Sequence, residues 1–244
     1  MNNIPTVTKN LLIINVLMFM ATWVAERYHI DLSDYLGLHF VLSDRFNAAQ
    51  LITYMFMHGG FAHLFFNMFA VWMFGRILEQ VWGPRRFLFY YLLCGIGAGL
   101  IQEIVTGVEY ATLRAGMTDD TVSYVMQEGA DALRQNMNFV DPALAHFNMV
   151  LNTSTVGASG AVYAILLGFG MLFPNQPMFI FPLPIPIKAK YFAIGYAVIE
   201  LLSALANNPN DNVAHFAHLG GMVFGFILIM YWKRNNKSNG YYYR

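Results

Sequence analysis

The chain has 244 residues, 57% of them hydrophobic and only 11% charged, with a mean hydropathy of +0.45. A soluble domain carries about 25% charged residues, so one aqueous core cannot hide this much apolar surface and an integral membrane protein follows. A formal net charge of zero argues against a nucleic-acid partner, and the single cysteine, Cys94, allows no intramolecular disulfide.

A membrane-spanning helix needs about 20 apolar residues. Six segments approach this: roughly Leu11 to Ala25, His63 to Leu78, Phe87 to Val105, Ser159 to Phe173, Tyr191 to Ala206 and His215 to Trp232. The first lacks a basic start and a small-residue cleavage site, so it reads as a retained helix. Several are short for a hydrocarbon core of about 30 Å, which suggests locally thinned lipid.

The connections carry further signals. Asp31 to Gln50 holds Leu36, Leu38, Phe40 and Val41, an amphipathic loop suited to the membrane interface. Thr106 to Asn152 is a polar insertion of helical character. Either a solvated appendage or a substrate-docking element fits it. Pro174, Pro177, Pro182, Pro184 and Pro186 interrupt any helix between the fourth and fifth segments. Asn207 to Asn212 reads as a tight polar turn and a mobile cap. The tail from Asn235 to Arg244 reads as a short disordered end. The expected organisation is one membrane domain over 1–234, with the 106–152 insertion, and a polar tail over 235–244.

Orientation follows from lysine and arginine. With both termini in the cytoplasm, Lys9, Arg76, Arg85, Arg86, Lys188, Lys190, Lys233, Arg234, Lys237 and Arg244 fall inside. Only Arg27, Arg45, Arg114 and Arg134 fall outside. The expected fold is therefore an all-α bundle of six transmembrane helices with both termini cytoplasmic.

Polar groups inside a membrane are costly to keep. Ser159, in Gly157-Ala158-Ser159-Gly160, opens the fourth segment, and His218, in Ala217-His218-Leu219-Gly220-Gly221, lies near the start of the sixth. Both fall at the outer end, at roughly one depth. A serine hydroxyl is a weak nucleophile until a base takes its proton, which an imidazole near neutrality can do. Gly160, Gly221 and Gly225 remove bulk, and Gly221-x-x-x-Gly225 lets helix backbones approach. Ser159 could equally be a helix-start cap, and His218 a hydrogen-bonded core histidine.

A third cluster is His58-Gly59-Gly60-Phe61-Ala62-His63-Leu64-Phe65-Phe66-Asn67. His63 and Asn67 stand four apart, on one face of the second helix at its outer end. With the backbone N–H of Ser159, their side chains could stabilise the oxyanion of acyl transfer. Asn67 could equally serve an interhelical hydrogen bond.

Together these residues resemble the rhomboid family of intramembrane serine proteases, over roughly residues 5 to 233. The likeness rests on His63-x-x-x-Asn67, Gly157-Ala158-Ser159-Gly160 and Ala217-His218-x-Gly220-Gly221-x-x-x-Gly225, in this order. It implies a six-helix bundle with a hydrated cavity, Ser159 as nucleophile and His218 as general base in a dyad without an acid. It implies oxyanion-hole roles for His63 and Asn67, and packing of Tyr163 on the catalytic imidazole. Glu79 and Gly83 match the family's structural Glu-x-x-x-Gly element. Gly157, Gly160 and Gly221 are supporting residues. The implied substrates are single-pass membrane proteins cut near the outer end of their helix, with access gated by the fifth helix. No cofactor or metal is expected. The compact six-helix form implies a multi-pass protein of the bacterial inner membrane. The outer loop departs from the family's Trp-Arg pair, offering Arg45 with Phe46.

Two rivals remain open. A metal site could use His58, His63, His215 and His218. Against it, no His-Glu-x-x-His is present, and no inward carboxylate is expected beside them. A non-catalytic binder of transmembrane helices would share the fold and leave Ser159 dispensable. Glu200 is a further intramembrane carboxylate, expected toward the cytoplasmic half of the fifth helix and without a basic partner in that helix. His215 is expected to be a cavity or interface neighbour of His218.

Overall fold

A computed structural model describes residues 4–179, 186–206 and 213–238. Its main elements are α1 (Thr6–Glu26), α2 (Phe61–Trp82), α3 (Pro84–Arg114), α4 (Asp119–Arg134), α5 (Pro142–Asn152), α6 (Ser159–Leu172), β1 (Pro177–Phe179), β2 (Pro186–Lys188), α7 (Ala189–Ala206) and α8 (His215–Ser238). Helices α1, α2, α3, α7 and α8 are long and apolar enough to cross a membrane. The sixth expected span, α6, is shorter. The protein is an all-α, multi-pass membrane bundle, its outward faces clad in residues such as Leu17, Met20, Leu202 and Ile227.

Several expected boundaries move. Helix α3 has 31 residues, about 46 Å at 1.5 Å per residue, and runs well past Val105. Pro84 at its first turn starts it without losing a hydrogen bond, and Gly83 before it has φ 80°, a left-handed value that favours glycine. Helix α6 has 14 residues, about 21 Å. A helix that short does not cross the full hydrocarbon core. Helix α8 continues to Ser238, so residues 235–238 of the expected tail are helical. The expected cap at Asn207–Asn212, residues 239–244, and Pro182 and Pro184 lie outside the described residues.

Helix α2 is not uniform. Val71–Gly75 forms a π turn between two α-helical stretches. Beyond it, Glu79 is buried and accepts from the Val7 N–H at 2.9 Å, the Thr8 N–H at 2.7 Å and the Thr8 hydroxyl at 2.8 Å. These are orphan donors of the first turn of α1, and the carboxylate satisfies them. Glu79 thus fixes α1 to α2, the structural role expected of it.

Helix α8 packs most extensively on α3 and α6, and small residues make this possible. A Cβ at Gly221 would stand 1.9 Å from the carbonyl oxygen of Gly160. One at Gly160 would stand 2.4 Å from the Ala98 Cβ. The three backbones meet where any larger side chain would force them apart.

The insertion is an ordered helical pair. Thr118 caps α4 by accepting from the Thr121 N–H, and Asp141 caps α5 by accepting from the Ala143 and Leu144 N–H groups. Val122, Val125, Phe147 and Leu151 close a small core of their own with Phe40. Between β1 and β2, Pro177 pairs with Lys188, Met178 with Ile187 and Phe179 with Pro186, antiparallel. This hairpin ends α6 and starts α7.

The loop before α2 is organised by Gln50, whose amide donates to the Tyr35 and Arg45 carbonyls. Arg45 pairs with Asp34 at 3.0 Å, the loop's own anchor in place of a Trp-Arg pair. Leu38 and Phe40 are buried, whereas Val41 and Leu42 are exposed.

Candidate functional site

The segment that delivers Ser159 is pinned before α6 begins. Leu38 and Thr155 exchange two backbone hydrogen bonds, and the Gly157 N–H donates to the Tyr54 carbonyl at 2.9 Å. The Tyr54 hydroxyl in turn donates to the Gly95 carbonyl on α3 at 2.6 Å. Gly157 has φ 132°, and a Cβ there would lie 2.9 Å from His63 Nε2. Only glycine tolerates both the backbone angle and the imidazole against it.

Ala158 is the N-cap of α6, so Ser159 is not a cap. Its hydroxyl instead lies 2.8 Å from His218 Nε2. The pair comes from two helices 59 residues apart in sequence, joined by the Gly160–Gly221 contact one turn or less from each. The His218 ring stacks on Tyr163, with centroids 4.3 Å apart and planes 11° from parallel. Tyr163 therefore stands where the sequence expectation put it. Ser159 is half-buried and His218 is buried.

On its other nitrogen, His218 meets a group the sequence reading had placed elsewhere. Nδ1 lies 2.9 Å from Glu200 Oε2. His215 Nδ1 lies 2.6 Å from that same oxygen, and the Tyr163 hydroxyl donates to Oε1. Glu200 is 5% exposed. It is not at the far end of α7, and although α7 itself gives it no basic partner, two imidazoles reach it from α8. It faces α8 at the Ser159 end, and the expected dyad without an acid has a carboxylate on its histidine.

His63 stands on the Gly157 side of Ser159, with its Nδ1 3.4 Å from the Gly59 N–H. Asn67 is buried, and its side-chain amide donates back to the His63 carbonyl at 2.9 Å. One N–H of that amide is thus engaged, and an amide carries two. His58 is buried edge-on to His63, with ring centroids 5.1 Å apart. Burial, with His63 beside it, lowers the His58 imidazole to about 4, so it stays neutral near pH 7.

The four histidines do not form one metal cluster. Among the described residues, a set of potential ligands gathers only at Glu200, His215 and His218. An inward carboxylate does join two of the histidines, contrary to expectation. Two atoms sharing a tetrahedral zinc at 2.0–2.1 Å stand about 3.3 Å apart. The nitrogen–oxygen separations here are 2.6 and 2.9 Å, those of charge-assisted hydrogen bonds. The separations are those of a hydrogen-bonded network.

A multi-pass helical bundle with a serine–histidine pair at the start of a short apolar helix defines a narrow class of membrane protein. The Rhomboid domain model matches residues 45–235, and the chain belongs to the rhomboid family. It is 42% identical over 201 residues to RHOMBOID-like protein 6, mitochondrial, of Arabidopsis thaliana, covering 79% of this chain and 48% of that protein. It is 26% identical over 184 residues to Rhomboid protein 1, mitochondrial, of Saccharomyces cerevisiae, covering 73% and 40%. It is 24% identical over 178 residues to the Rhomboid protease AarA of Providencia stuartii, covering 71% and 52%. The chain thus spans about half the length of these relatives or less.

Proposed function

We propose that this protein is an intramembrane serine protease that cuts single-pass membrane proteins in or near their transmembrane segments. The observation that carries the reading is the 2.8 Å approach of Ser159 Oγ to His218 Nε2 inside a membrane bundle. Ser159 attacks the scissile carbonyl carbon while its proton passes to His218 Nε2. The tetrahedral oxyanion is met by the Ser159 N–H at the start of α6, by His63 and by the second N–H of Asn67. His218 then gives the proton to the leaving amine, which departs and leaves an acyl ester on Ser159. Water, deprotonated by His218, hydrolyses the ester.

Family membership supports the reading, and so does a protease, AarA, among the relatives. The lysine and arginine bias supports cytoplasmic termini, which puts Ser159 toward the outer face. The long apolar helices support a multi-pass protein with the lipid bilayer as solvent. The test is cleavage of a single-pass reporter in liposomes, with fluorophosphonate labelling alongside. Wild type should cut and label, and Ser159→Ala should do neither. Cleavage that survives Ser159→Ala would reject the reading.

A further inference from the structure

A hydrogen bond between an imidazole and a carboxylate selects one tautomer. If Nδ1 carries the proton, Nε2 has a free lone pair and can take a proton from a hydroxyl. If Nε2 carries it, the ring cannot act as a base toward that hydroxyl. At His218 the two nitrogens have unlike partners. Nδ1 faces Glu200 Oε2 at 2.9 Å, an oxygen that accepts, and Nε2 faces Ser159 Oγ at 2.8 Å.

From these contacts we propose that Glu200 is the third, positioning member of the site, forming a Ser159–His218–Glu200 relay. The inference rests on the protease reading above. Glu200 touches no reacting atom. It holds the Nδ1–H tautomer of His218, fixes the ring against Tyr163, and offers a negative charge to the imidazolium formed when Ser159 gives up its proton.

The surroundings fit a carboxylate kept ionised for that purpose. Three donors converge on it: the Tyr163 hydroxyl from α6 and the Nδ1–H groups of His215 and His218 from α8. A buried carboxylate is tolerated only when so satisfied. Tyr163 serves twice, since its ring stacks on His218 and its hydroxyl holds the opposite oxygen of Glu200. Acid and imidazole are therefore located against one rigid side chain.

Among the described residues, the groups around His218 are Ser159 and Tyr163 from α6, Glu200 from α7 and His215 one turn away on α8. His63 stands beyond Gly157 from α2. From α3 the contact at this level is apolar, Ile101 against Gly220. Glu200 is the one carboxylate in this set. Removing its charge takes away the opposite charge that faces the imidazolium formed in the reaction, so the pH profile of the reaction should respond.

The experiment compares Glu200→Gln with wild type for kcat, KM, fluorophosphonate labelling rate, thermal stability and the pH dependence of kcat/KM. It is repeated in a His215→Gln background, so that the acid limb reports His218 alone. The amide keeps the size of Glu200, but its NH2 group can turn the wrong tautomer toward Ser159. The expected result is a kcat lower by up to about 10⁴, the loss for a comparable substitution in a serine–histidine–aspartate triad. KM should stay within about threefold, labelling should slow in parallel, and the acid limb should move. A residue that merely holds α7 in place would lower the thermal midpoint and leave the acid limb where it was. A kcat within threefold of wild type with an unmoved acid limb overturns the proposal.

If Glu200→Gln does not fold, Glu200→Asp decides. Its carboxylate is withdrawn by one methylene, so kcat should fall at least tenfold with the acid limb held, and full kcat overturns the proposal. Activity that survives Ser159→Ala would instead sink the protease reading itself. Loss in Ser159→Ala with none in Glu200→Gln would sink the relay alone. A wild type that neither cuts nor labels overturns both.

Discussion

Two buried carboxylates, Glu79 and Glu200, tie outer helices to the bundle, and they do so with different partners. Glu79 accepts two backbone N–H groups and one threonine hydroxyl from α1. None of these donors titrates near neutral pH, so the contact is a fixed joint. Glu200 accepts from a tyrosine and two imidazoles. Two of its three donors are imidazoles, so under the proposed mechanism the same device joins a proton path. By contrast α8 is seated by packing, through glycine contacts that leave no room for a side chain.

The contrast sets the order of expected effects. Gly221→Leu should do the most damage, because its Cβ would start 1.9 Å from the Gly160 carbonyl oxygen, where backbone cannot give way. We expect a loss above about 3 kcal/mol, beyond the usual range for overpacking, read as failed insertion or a collapsed thermal midpoint. Tolerance of leucine there would contradict the packed seat.

Glu79→Ala should come next. It strands buried donors at the start of α1 and should cost about 2–3 kcal/mol. Denaturant or thermal unfolding would measure it, and kcat per folded molecule should be nearly unchanged. A large fall in kcat would erase the distinction between the fixed and the chemical joint.

Tyr163→Phe sharpens the comparison from the other side. It keeps the stacked ring and removes the hydroxyl from Glu200, and kcat should fall about tenfold, equivalent to about 1.4 kcal/mol. Steady-state kinetics in liposomes would read it. Equal activity would mean that Glu200 is positioned without the hydroxyl.

The effect that is smallest at neutral pH is one of acid sensitivity. His58 titrates at about 4 when folded against about 6.5 when unfolded. Between these values the unfolded chain binds the extra proton, so stability falls as pH drops through the window, by at most about 1.4 kcal/mol per unit. His58→Gln should flatten that part of a thermal-midpoint curve, and an unchanged slope would place the acid sensitivity elsewhere.

Much of this was legible in the chain. Apolar runs marked the five spanning helices and the shorter α6, Ser159 and His218 stood out in short patterns flanked by glycine, and Tyr163 came from the family resemblance. Helix ends were less legible. Thr106, Gly107 and Glu109 follow Val105 within α3, so hydropathy alone stopped the helix there, whereas the structure carries it to Arg114. Glu200 was misplaced for a different reason. Its partners lie in the next helix, and periodicity within one helix does not show them. A signal did exist: α7 ends at Ala206 and α8 begins at His215. Folding the two antiparallel brings Glu200, six residues before that end, near His215 and His218 just after the turn. The bent-back Asn67 amide was not legible at all, because rotamer and partner are decided by packing.

The most direct test of the central claim is the rate of fluorophosphonate labelling, measured in liposomes with reporter cleavage on the same preparations of wild type, Ser159→Ala and His218→Ala. The account predicts one labelled serine in wild type, no label in Ser159→Ala, labelling at least 100-fold slower in His218→Ala, and cleavage lost in both variants while helical content is kept. Undiminished labelling or cleavage in either folded variant would contradict a Ser159 nucleophile activated by His218.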